Sequence, residues 1–517
     1  MTKKFNYIEC GKKFVAYGTT KSTDRASCGQ AILGKERISI AQLIFILSIQ
    51  FLTPVFAEEQ QRMVPIYDRK IDKPPNIILL VLDWARTDGI GAYSKKDVIT
   101  PNIDRLAKGG VRFENAYTPA TLCSPARASL ITGVYPHAHG IRKTMYPSGI
   151  NGGLPTMYLE PIANPFDDQR FQLSINFPRY LTNSGFATAH IGKWHLGTGN
   201  PGFFDLFKSY NSLMPHWVGE PNRSAYREDI QTNEGIRFIQ QNIDRPFFLY
   251  QSYYTPHAPH QPPEKFLALY RNKQIDHKGY YAAISSLDTN IGRIVNTLRE
   301  NDLLRNSLII ITADHAGSFQ ERPGSYRGMG IAYDEAARIP MIMHWPDGLP
   351  QNTVWDSGVS LVDIAPTILA ATSINTKSRI MEIVTGRKGS PFHGRDLIAK
   401  VLSGRDDWEH PVFMQNLPEA AIENSWFDER SMRSKDWKLI LRHFNADPCA
   451  RNNAFFEIAT DANETKNLYS NPEYREELIK QLQIMLENAK KMNDALAIRL
   501  AEKELEIVLQ GGEFNYK

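Results

Sequence analysis

The sequence predicts an α/β fold, in which a large sheet has helices on both faces and is followed by a small C-terminal sheet with a helix. Short apolar runs, typical of strands buried on both faces, alternate along the chain with amphipathic stretches. This alternation is typical of α/β sheets. Around residues 386–404 the pattern gives way to Gly, Ser and Arg, which predicts a boundary. We therefore expect one large domain and one smaller domain.

The large sheet is predicted from four apolar runs, at residues 75–83, 247–254, 307–314 and 340–345. Between the second and third runs, apolar residues recur at the three- and four-residue spacing of an amphipathic helix: Ile284, Leu287, Ile291, Ile294 and Leu298. In the smaller domain, strands are predicted at residues 436–444 and 453–461, and a charged amphipathic helix is predicted from Pro472 onward.

The N-terminal residues predict a secretory leader. An apolar run at residues 38–52 follows Lys35 and Arg37 and precedes small residues suited to cleavage after Ala57. A membrane anchor is the alternative, but the run is shorter than the roughly 20 residues that span a bilayer. We expect residues 1–57 to be a leader with a signal peptide, the mature protein to be periplasmic or secreted, and no stable membrane anchor.

The charge balance argues against nucleic acid as a partner. The chain carries 60 Lys and Arg residues against 56 Asp and Glu residues, a formal net charge of +4. The basic residues are spread along the chain rather than gathered into runs, so no nucleic-acid footprint is expected. With 42% hydrophobic and 22% charged residues, the composition is that of an ordinary globular protein.

The cysteines draw attention to Cys123. Cys10 and Cys28 precede the predicted cleavage site, which leaves only Cys123 and Cys449 in the mature chain. These two lie in different predicted domains, so a disulfide between them is disfavoured on geometric grounds. We therefore expect both to be unpaired.

Cys123 stands where a helix is predicted to begin. Pro125 is tolerated in a first helical turn, and the residues after it favour a helix. The free N–H groups and the partial positive charge of that turn stabilise an anion at position 123. A nucleophilic cysteine and a buried structural cysteine are both compatible with these residues.

Acidic residues end two predicted strands of the large sheet. Ligands of α/β sheets gather at the carboxyl ends of the strands, where Asp83 and Asp314 fall. Asp314 is followed by His315, so a carboxylate and an imidazole suited to a divalent cation stand side by side. The motifs GKWHLG and TPHAPH add basic groups that suit an anionic ester, namely Lys193, His195, His257 and His260. A surface lysine and loop histidines are the alternative interpretation of these two motifs.

The stretch CSPARASLITG resembles the C-x-P-x-R signature of the type I sulfatases, in which the cysteine is oxidised to Cα-formylglycine. Similar blocks occur in the family's order between about residues 74 and 492, among them NIILLVLD, LITGVYPHAHG, GKWHLG, TADH and YDEAARIPMIMHWP. The resemblance implies an alkaline-phosphatase-like fold, with a large mixed sheet flanked by helices and a small C-terminal antiparallel sheet packed by a helix. It implies a catalytic domain over residues 72–400 and a C-terminal domain with a terminal helix over residues 401–517.

The resemblance also implies two cofactors. The first is formylglycine, made from Cys123 by a maturation enzyme, whose hydrate has one hydroxyl to attack sulfur and a second to expel sulfate. The second is a divalent metal, for which calcium is expected and manganese or magnesium are the alternatives. Its implied ligands are Asp83, Asp314, His315 and the modified Cys123.

Four further residues receive roles from the resemblance. Arg127 would hold the formylglycine in place, and Lys193 would contact the nucleophile or the sulfate. His195 would assist the proton transfer that releases sulfate, and His257 would contact the sulfate and protonate the leaving alcohol. For His260 we expect a structural role.

The sequence departs from the family pattern at two positions. Trp84 follows Asp83 where many members have a second aspartate, and Asp88 is the nearest candidate to replace it. With one carboxylate fewer, calcium is expected to bind more weakly. Met329 stands where a lysine that contacts the transferred group is common, and Arg327 is the candidate to take its place in substrate binding.

The expected function is hydrolysis of sulfate esters, of either sulfated carbohydrate or aryl type, by a sulfuric ester hydrolase. The missing aspartate also fits a formylglycine-dependent phosphodiester or phosphonate monoester hydrolase, which is the first alternative. A degenerate homologue that binds sulfated glycans without turnover is the second. Because loops carry the specificity of a shared fold, the natural substrate is left open.

Overall fold

A computed structural model describes most of the protein between Lys73 and Gln510, in the following stretches: 73–94, 96–142, 144–145, 173, 175–197, 199–210, 216–218, 225–319, 331–374, 391–416, 427–444 and 453–510. The predicted leader at residues 1–57 lies outside the described residues, as do Arg327, Met329 and Cys449. No helix in the described stretches combines the length and the apolar character needed to cross a membrane.

The strands in these stretches are numbered in chain order. They are β1 (Asn76–Asp83), β2 (Val111–Phe113), β3 (Ala116–Tyr117), β4 (Ala187–Gly192), β5 (Leu206–Ser209), β6 (Trp217–Val218), β7 (Ala225–Tyr226), β8 (Phe247–Pro256), β9 (Ser307–Ala313), β10 (Arg338–Ile339), β11 (Met341–His344), β12 (Thr353–Trp355), β13 (Val359–Ser360), β14 (Val412–Asn416), β15 (Phe427–Arg433), β16 (Trp437–Phe444) and β17 (Ala454–Glu457).

The large sheet is mixed, which confirms the predicted fold class. Its eight strands lie in the order β12-β2-β11-β9-β1-β8-β4-β5. The central strands β9, β1, β8 and β4 are parallel, whereas β11 runs antiparallel to both of its neighbours. Every residue of β1 and of β8 is buried, because helices cover both faces of the sheet. The four apolar runs predicted as strands correspond to β1, β8, β9 and β11.

The helices are likewise numbered along the chain. They are α1 (Pro101–Lys108), α2 (Cys123–Thr132), α3 (Pro136–His139), α4 (Phe177–Asn183), α5 (Arg227–Gln240), α6 (Glu264–Leu267), α7 (Lys278–Glu300), α8 (Asp334–Ala337), α9 (Ile364–Ala371), α10 (Leu397–Ser403), α11 (Arg475–Met492) and α12 (Ala495–Leu509). Short 3₁₀ helices occur at Thr87–Gly89, Ala268–Tyr270, Leu361–Asp363 and Pro472–Tyr474. The amphipathic helix predicted around residues 284–298 is α7.

Helix α2 begins at Cys123, as predicted, and runs through the interior of the protein. All of its ten residues are buried. It ends at Gly133, whose left-handed backbone (φ of 67°) allows its N–H to bond the carbonyl of Ser129 at 2.8 Å. A helix without a solvent-facing side shows no amphipathic stripe, so Pro125 and the motif around it were the only sequence signals for this element.

The small C-terminal sheet is antiparallel and has the order β14-β15-β16-β17. Its inner face packs on α11 and α12 in a second hydrophobic cluster that includes Phe413, Leu439, Phe455, Leu482 and Leu505. The sequence predicted a single helix from Pro472 onward, but the structure contains two. They separate where Asn493 adopts a left-handed backbone (φ of 58°) and the side chain of Asp494 caps α12 by accepting from the N–H of Ala497.

Helix α10 bears on the division between the two predicted domains. Residue 400 lies inside this helix, and its apolar residues Leu397, Ile398 and Val401 belong to the hydrophobic cluster of the large sheet. We therefore propose that the large domain extends to Ser403 and that the C-terminal domain begins after it.

A buried lysine joins the small sheet to α8. Lys438 of β16 is fully buried, and its Nζ lies 2.6 Å from Asp334 of α8 and 2.7 Å from Glu464. Burial opposes the charge of Lys438, but the carboxylates of Asp334 and Glu464 outweigh it and raise its pKa. The lysine therefore stays charged, and its ammonium group lies between two acidic side chains.

We expect Lys438→Met to lower the free energy of unfolding by about 3–5 kcal/mol, because it leaves buried carboxylates without a counter-charge. The measurement is urea-induced unfolding at neutral pH. The matched control is Lys480→Met, since Lys480 pairs with Glu477 on the surface with 64% of its side chain exposed. The control should change the free energy by less than about 1 kcal/mol. Equal effects of the two substitutions would contradict a structural role for the buried triad.

Candidate active site

The predicted site residues converge at the carboxyl edge of the large sheet. Asp83 is the last residue of β1, and Asp314 and His315 directly follow β9. Lys193 follows β4, and His257 follows β8. Because β9, β1, β8 and β4 are adjacent and parallel, their carboxyl ends meet at one edge.

Cys123 faces this edge from the start of α2. Its Sγ lies 3.2 Å from Nε2 of His315 and 4.0 Å from Oδ1 of Asp83. Ligand atoms of Cys123, Asp83, Asp314 and His315 all lie within 4.8 Å of one another, and all four residues are buried. The structure thus brings together the residues for which the resemblance implies metal binding.

The donor set of this cluster fits a divalent cation. The two carboxylates are hard ligands, and the imidazole widens the choice toward manganese. Burial opposes protonation of His315, but the Asp314 carboxylate and the Cys123 side chain outweigh it and raise the pKa of His315 to about 9. The cluster therefore attracts positive charge, and a bound cation would replace the proton on this imidazole.

Arg127 connects residues of the cluster through hydrogen bonds. It lies one helical turn after Cys123 and is fully buried. Its Nε donates to Asp314 at 2.9 Å, and its Nη1 donates to the carbonyl of Lys193 at 2.9 Å and to Oγ of Ser252 at 2.7 Å. Burial acts to raise the pKa of Asp314, but the charge of Arg127, with smaller contributions from nearby cations, holds it well below its usual range.

Lys193 places a second cation beside residue 123. Its Nζ lies 2.5 Å from Oδ2 of Asp83 and 3.3 Å from Sγ of Cys123, and the residue is 3% exposed. Burial acts to lower the pKa of Lys193, but the charges of Asp83 and Cys123 outweigh it and the pKa is raised. The amine is therefore protonated and lies beside the Cys123 side chain.

The two histidines predicted to transfer protons line the more open side of the site. His195 has a left-handed backbone (φ of 60°), and burial, followed by the charges of Lys193 and Arg127, lowers its pKa well below the usual value. Burial also lowers the pKa of His257, although the Asp83 carboxylate offsets part of this effect. Both side chains are half-buried, so each imidazole can exchange a proton with a molecule bound there.

Two residues of the site were not identified from the sequence. Ser252 lies inside β8, where a hydroxyl in an apolar run carries no signal of contact with Arg127. Ser124 donates its hydroxyl to the carbonyl of His195 at 2.7 Å and so joins α2 to the loop after β4. The sequence shows Ser124 within the CSPAR motif but gives no sign of this hydrogen bond.

Asp88 does not replace the missing second aspartate. Its carboxylate lies 2.8 Å from Arg86 and 2.7 Å from Lys96 and is not part of the cluster. At the position after Asp83, the backbone N–H of Trp84 donates to Oδ1 of Asp314 at 3.2 Å. Trp84 therefore contributes a backbone hydrogen bond to the cluster in place of a carboxylate.

Two protein-family models match the chain. Residues 75–374, more than half of the chain, match the model described as Sulfatase. Residues 327–492 match the model described as N-sulphoglucosamine sulphohydrolase, C-terminal. The first match spans every predicted metal-binding and catalytic residue, and the second spans all four strands of the small sheet and α11.

Known proteins resemble the chain over most of its length. It is 27% identical over 495 residues to the protein named Uncharacterized sulfatase YidJ of Escherichia coli (strain K12), a match that covers 82% of this chain and 88% of that protein. It is 27% identical over 394 residues to the N-acetylgalactosamine-6-sulfatase of Sus scrofa, covering 66% of this chain and 68% of that protein.

Among solved structures, the fold is similar to that of BT4656, which was determined in complex with its substrate D-glucosamine-2-N,6-O-disulfate. The TM-score is 0.64 at 21% sequence identity, and the match covers 83% of this chain and 100% of that chain. At this identity the likeness establishes the fold.

We expect Arg127→Lys to lower the free energy of unfolding by at least about 3 kcal/mol, because a lysine loses most of the guanidinium's charged hydrogen bonds, each worth roughly 1.5–3 kcal/mol. Thermal and urea unfolding measure this change. Arg142→Lys is the matched control, since Arg142 pairs with Asp428 while 59% of its side chain is exposed. The control should stay within about 0.5 kcal/mol of the parent protein. An Arg127→Lys protein as stable as the control would contradict the bridging role of the guanidinium.

Proposed function

The chain belongs to the sulfatase family and hydrolyses sulfate esters, and on this premise we propose that its substrate is a sulfated carbohydrate and its nucleophile a formylglycine made from Cys123. One observation carries the proposal. Cys123 is the first residue of a buried helix and lies within 4.8 Å of two carboxylates and an imidazole. A helix start and a bound cation stabilise an anion at the same point.

Residue 123 would act through the hydrate of its aldehyde. This hydrate supplies one hydroxyl that attacks sulfur and a second whose deprotonation expels sulfate and restores the aldehyde. A thiol or a serine hydroxyl lacks the second group, and this lack supports the modification over plain cysteine catalysis.

Lys193 and Arg127 would hold the reacting groups in place. The ammonium group of Lys193, 3.3 Å from the side chain of residue 123, can donate to a nucleophilic oxygen there and to a sulfate oxygen beside it. Arg127 fixes the carboxylates of Asp83 and Asp314 with respect to α2. Preorganised charges of this kind act where negative charge grows during sulfuryl transfer.

Two histidines would move the protons. His257 would give a proton to the bridging ester oxygen as the S–O bond breaks, so that the product leaves as an alcohol. His195, neutral because its pKa is low, would accept the proton of the second hydroxyl as sulfate departs. Two imidazoles at the open side of one site can divide the acid and base steps in this way.

Asp83, Asp314, His315 and residue 123 would hold a divalent metal. We propose calcium because carboxylate oxygens dominate the set, with manganese or magnesium as alternatives. When bound, the metal would offset the charge of the nucleophile and of the sulfuryl oxygens. Arg327 remains a proposed substrate-binding residue on the strength of its place in the sequence.

The names of the relatives support a sulfated sugar as substrate. The Sus scrofa relative is named for a sulfated N-acetylgalactosamine, and BT4656 for a complex with a disulfated glucosamine. A phosphodiester or phosphonate substrate receives less support, because the family models and these relatives are sulfatases. We further propose a formylglycine-generating maturation enzyme as partner and a periplasmic or secreted location reached through the leader at residues 1–57.

We expect Cys123→Ala to lower kcat/KM for 4-nitrophenyl sulfate by at least about a thousandfold, because the nucleophile is removed. The parent protein, made with a maturation enzyme, should carry an aldehyde in the tryptic peptide that ends at Arg127, as measured by mass spectrometry. Cys449→Ala is the control and should retain activity. An active parent protein with an unmodified thiol at position 123 would overturn the nucleophile assignment.

The same preparation tests the substrate class. Matched 4-nitrophenyl sulfate, phosphate and phosphonate esters should be hydrolysed with the highest kcat/KM for the sulfate. A preference for the phosphorus esters would establish the alternative hydrolase. An aldehyde-bearing protein that turns over none of these esters and no sulfated sugar would be a binding homologue.

We expect exhaustive chelation to abolish turnover, and calcium, magnesium and manganese to restore it to different extents. Metal content is measured beside activity. Asp314→Asn should weaken metal binding by at least about tenfold, because it removes one of two charged ligands. Asp88→Asn is the matched control outside the cluster and should bind metal as the parent protein does. Full activity of a metal-free protein would refute the proposed site.

A further inference from the structure

Trp84 connects two loops of the active site. It follows Asp83 at the end of β1, and its backbone is left-handed, with a φ of 67°, which is a rare conformation for a bulky residue. Its side chain is 8% exposed and lies against Gly317, where a Cβ would come within 1.9 Å of the indole. Such conformations persist only where the surroundings enforce them.

The indole of Trp84 contacts the proposed acid, His257. The centroids of the two rings are 5.6 Å apart, with 45° between the ring planes. The ring of Tyr254 lies 4.8 Å from the same imidazole. The His257 side chain is therefore in contact with two aromatic rings, one on β8 and one that directly follows β1.

His257 depends on these rings for its orientation. The residues that follow it, Ala258 and Pro259, are exposed. Its Nδ1 donates to the carbonyl of Ala258 at 2.8 Å, which leaves Nε2 to exchange a proton. That carbonyl also accepts from the hydroxyl of Tyr254 at 3.4 Å, so the bond relates the imidazole to β8 alone. Trp84 is attached to a different strand and supplies a fixed reference.

The backbone of Trp84 is itself anchored to the metal side of the site. Its N–H donates to Oδ1 of Asp314, an oxygen that also accepts from the N–H of His315 at 2.9 Å. Trp84 therefore contacts the carboxylate through its backbone and the imidazole through its indole. A change of side chain alters the second contact and retains the first.

We propose that Trp84 is a positioning residue for His257, whose indole holds the imidazole where Nε2 can protonate the departing alcohol. The inference rests on the proposed acid role of His257. Because Nδ1 already carries the proton that it donates to Ala258, the imidazolium form of His257 is the acid: it passes its Nε2 proton to the ester oxygen as the S–O bond breaks and becomes the neutral imidazole. General acid catalysis of this kind requires hydrogen-bond distance between the two atoms. A displacement of about 1 Å is enough to lower such a rate a hundredfold.

The leaving group determines how much this positioning matters. A 4-nitrophenolate is stable as an anion and departs without a proton, whereas a sugar alkoxide needs one. Loss of position at His257 should therefore lower kcat for a sugar sulfate and spare kcat for 4-nitrophenyl sulfate. KM should change less than kcat for the sugar sulfate, because Lys193 retains its contact with the sulfate when His257 is displaced.

The experiment compares Trp84→Leu with Trp84→Phe on these two substrates, with the metal-loaded and aldehyde-bearing protein. We expect Trp84→Leu to lower kcat for the sugar sulfate by about 10–100-fold and kcat for 4-nitrophenyl sulfate by less than about threefold. Trp84→Phe retains an aromatic ring and should recover most of the lost rate. If Trp84→Leu fails to fold, Gly317→Ala displaces the indole without removing it and should give the same substrate selectivity.

His257→Ala separates the acid role of His257 from the positioning role of Trp84. It should show the same selectivity more strongly, and Trp84→Leu should add little to it in the double variant. If His257→Ala lowers kcat equally for both substrates, the proposed acid role of His257 is wrong. If His257→Ala is selective but Trp84→Leu lowers both rates equally or neither, the acid role stands and the positioning role of Trp84 is overturned.

Discussion

The buried guanidinium of Arg127 is the interaction on which the rest of the site depends. It bonds to a carboxylate after β9, to a backbone carbonyl after β4 and to a hydroxyl of β8, and it pairs with Asp83 of β1 at 3.4 Å. Four parallel strands are thereby attached to the first turn of α2. An arginine can do this because its donors point in several fixed directions. The position of Cys123 relative to the strand ends follows from this attachment.

Two carboxylates and two basic side chains face one another around Cys123. Asp83 and Asp314 oppose Arg127 and Lys193, and all four side chains are buried. A divalent cation added to such a set gives the site a positive surplus, which matches the negative charge of a sulfate ester. The same carboxylates thus serve two purposes in the proposed mechanism, since they hold the basic residues in place and would bind the cation that attracts the substrate.

Elements that leave one strong sequence pattern were predicted, and elements whose charged residues are paired with other elements were missed. The apolar runs of β1 and β9 and the start of α2 were predictable, because strands buried on both faces and a first-turn proline leave clear patterns. Strand β15 was missed because it is rich in charge. Its Glu429 pairs with Arg442, and its Arg430 pairs with Asp494 on the helical side. Charged residues that neutralise one another across elements cannot be recognised before the elements are in place.

The enclosure of α2 has a consequence for the biosynthesis of the protein. A small ester needs only a narrow approach to the site, but the proposed maturation enzyme has to bring its own active site to the side chain of Cys123. All ten residues of α2 are buried in the finished fold, so no catalyst of protein size can reach this segment there. The proposed oxidation therefore belongs to the interval between translation and closure of the large sheet. Slow folding would lengthen that interval. Rapid folding would bury Cys123 as an unmodified thiol in an otherwise native protein.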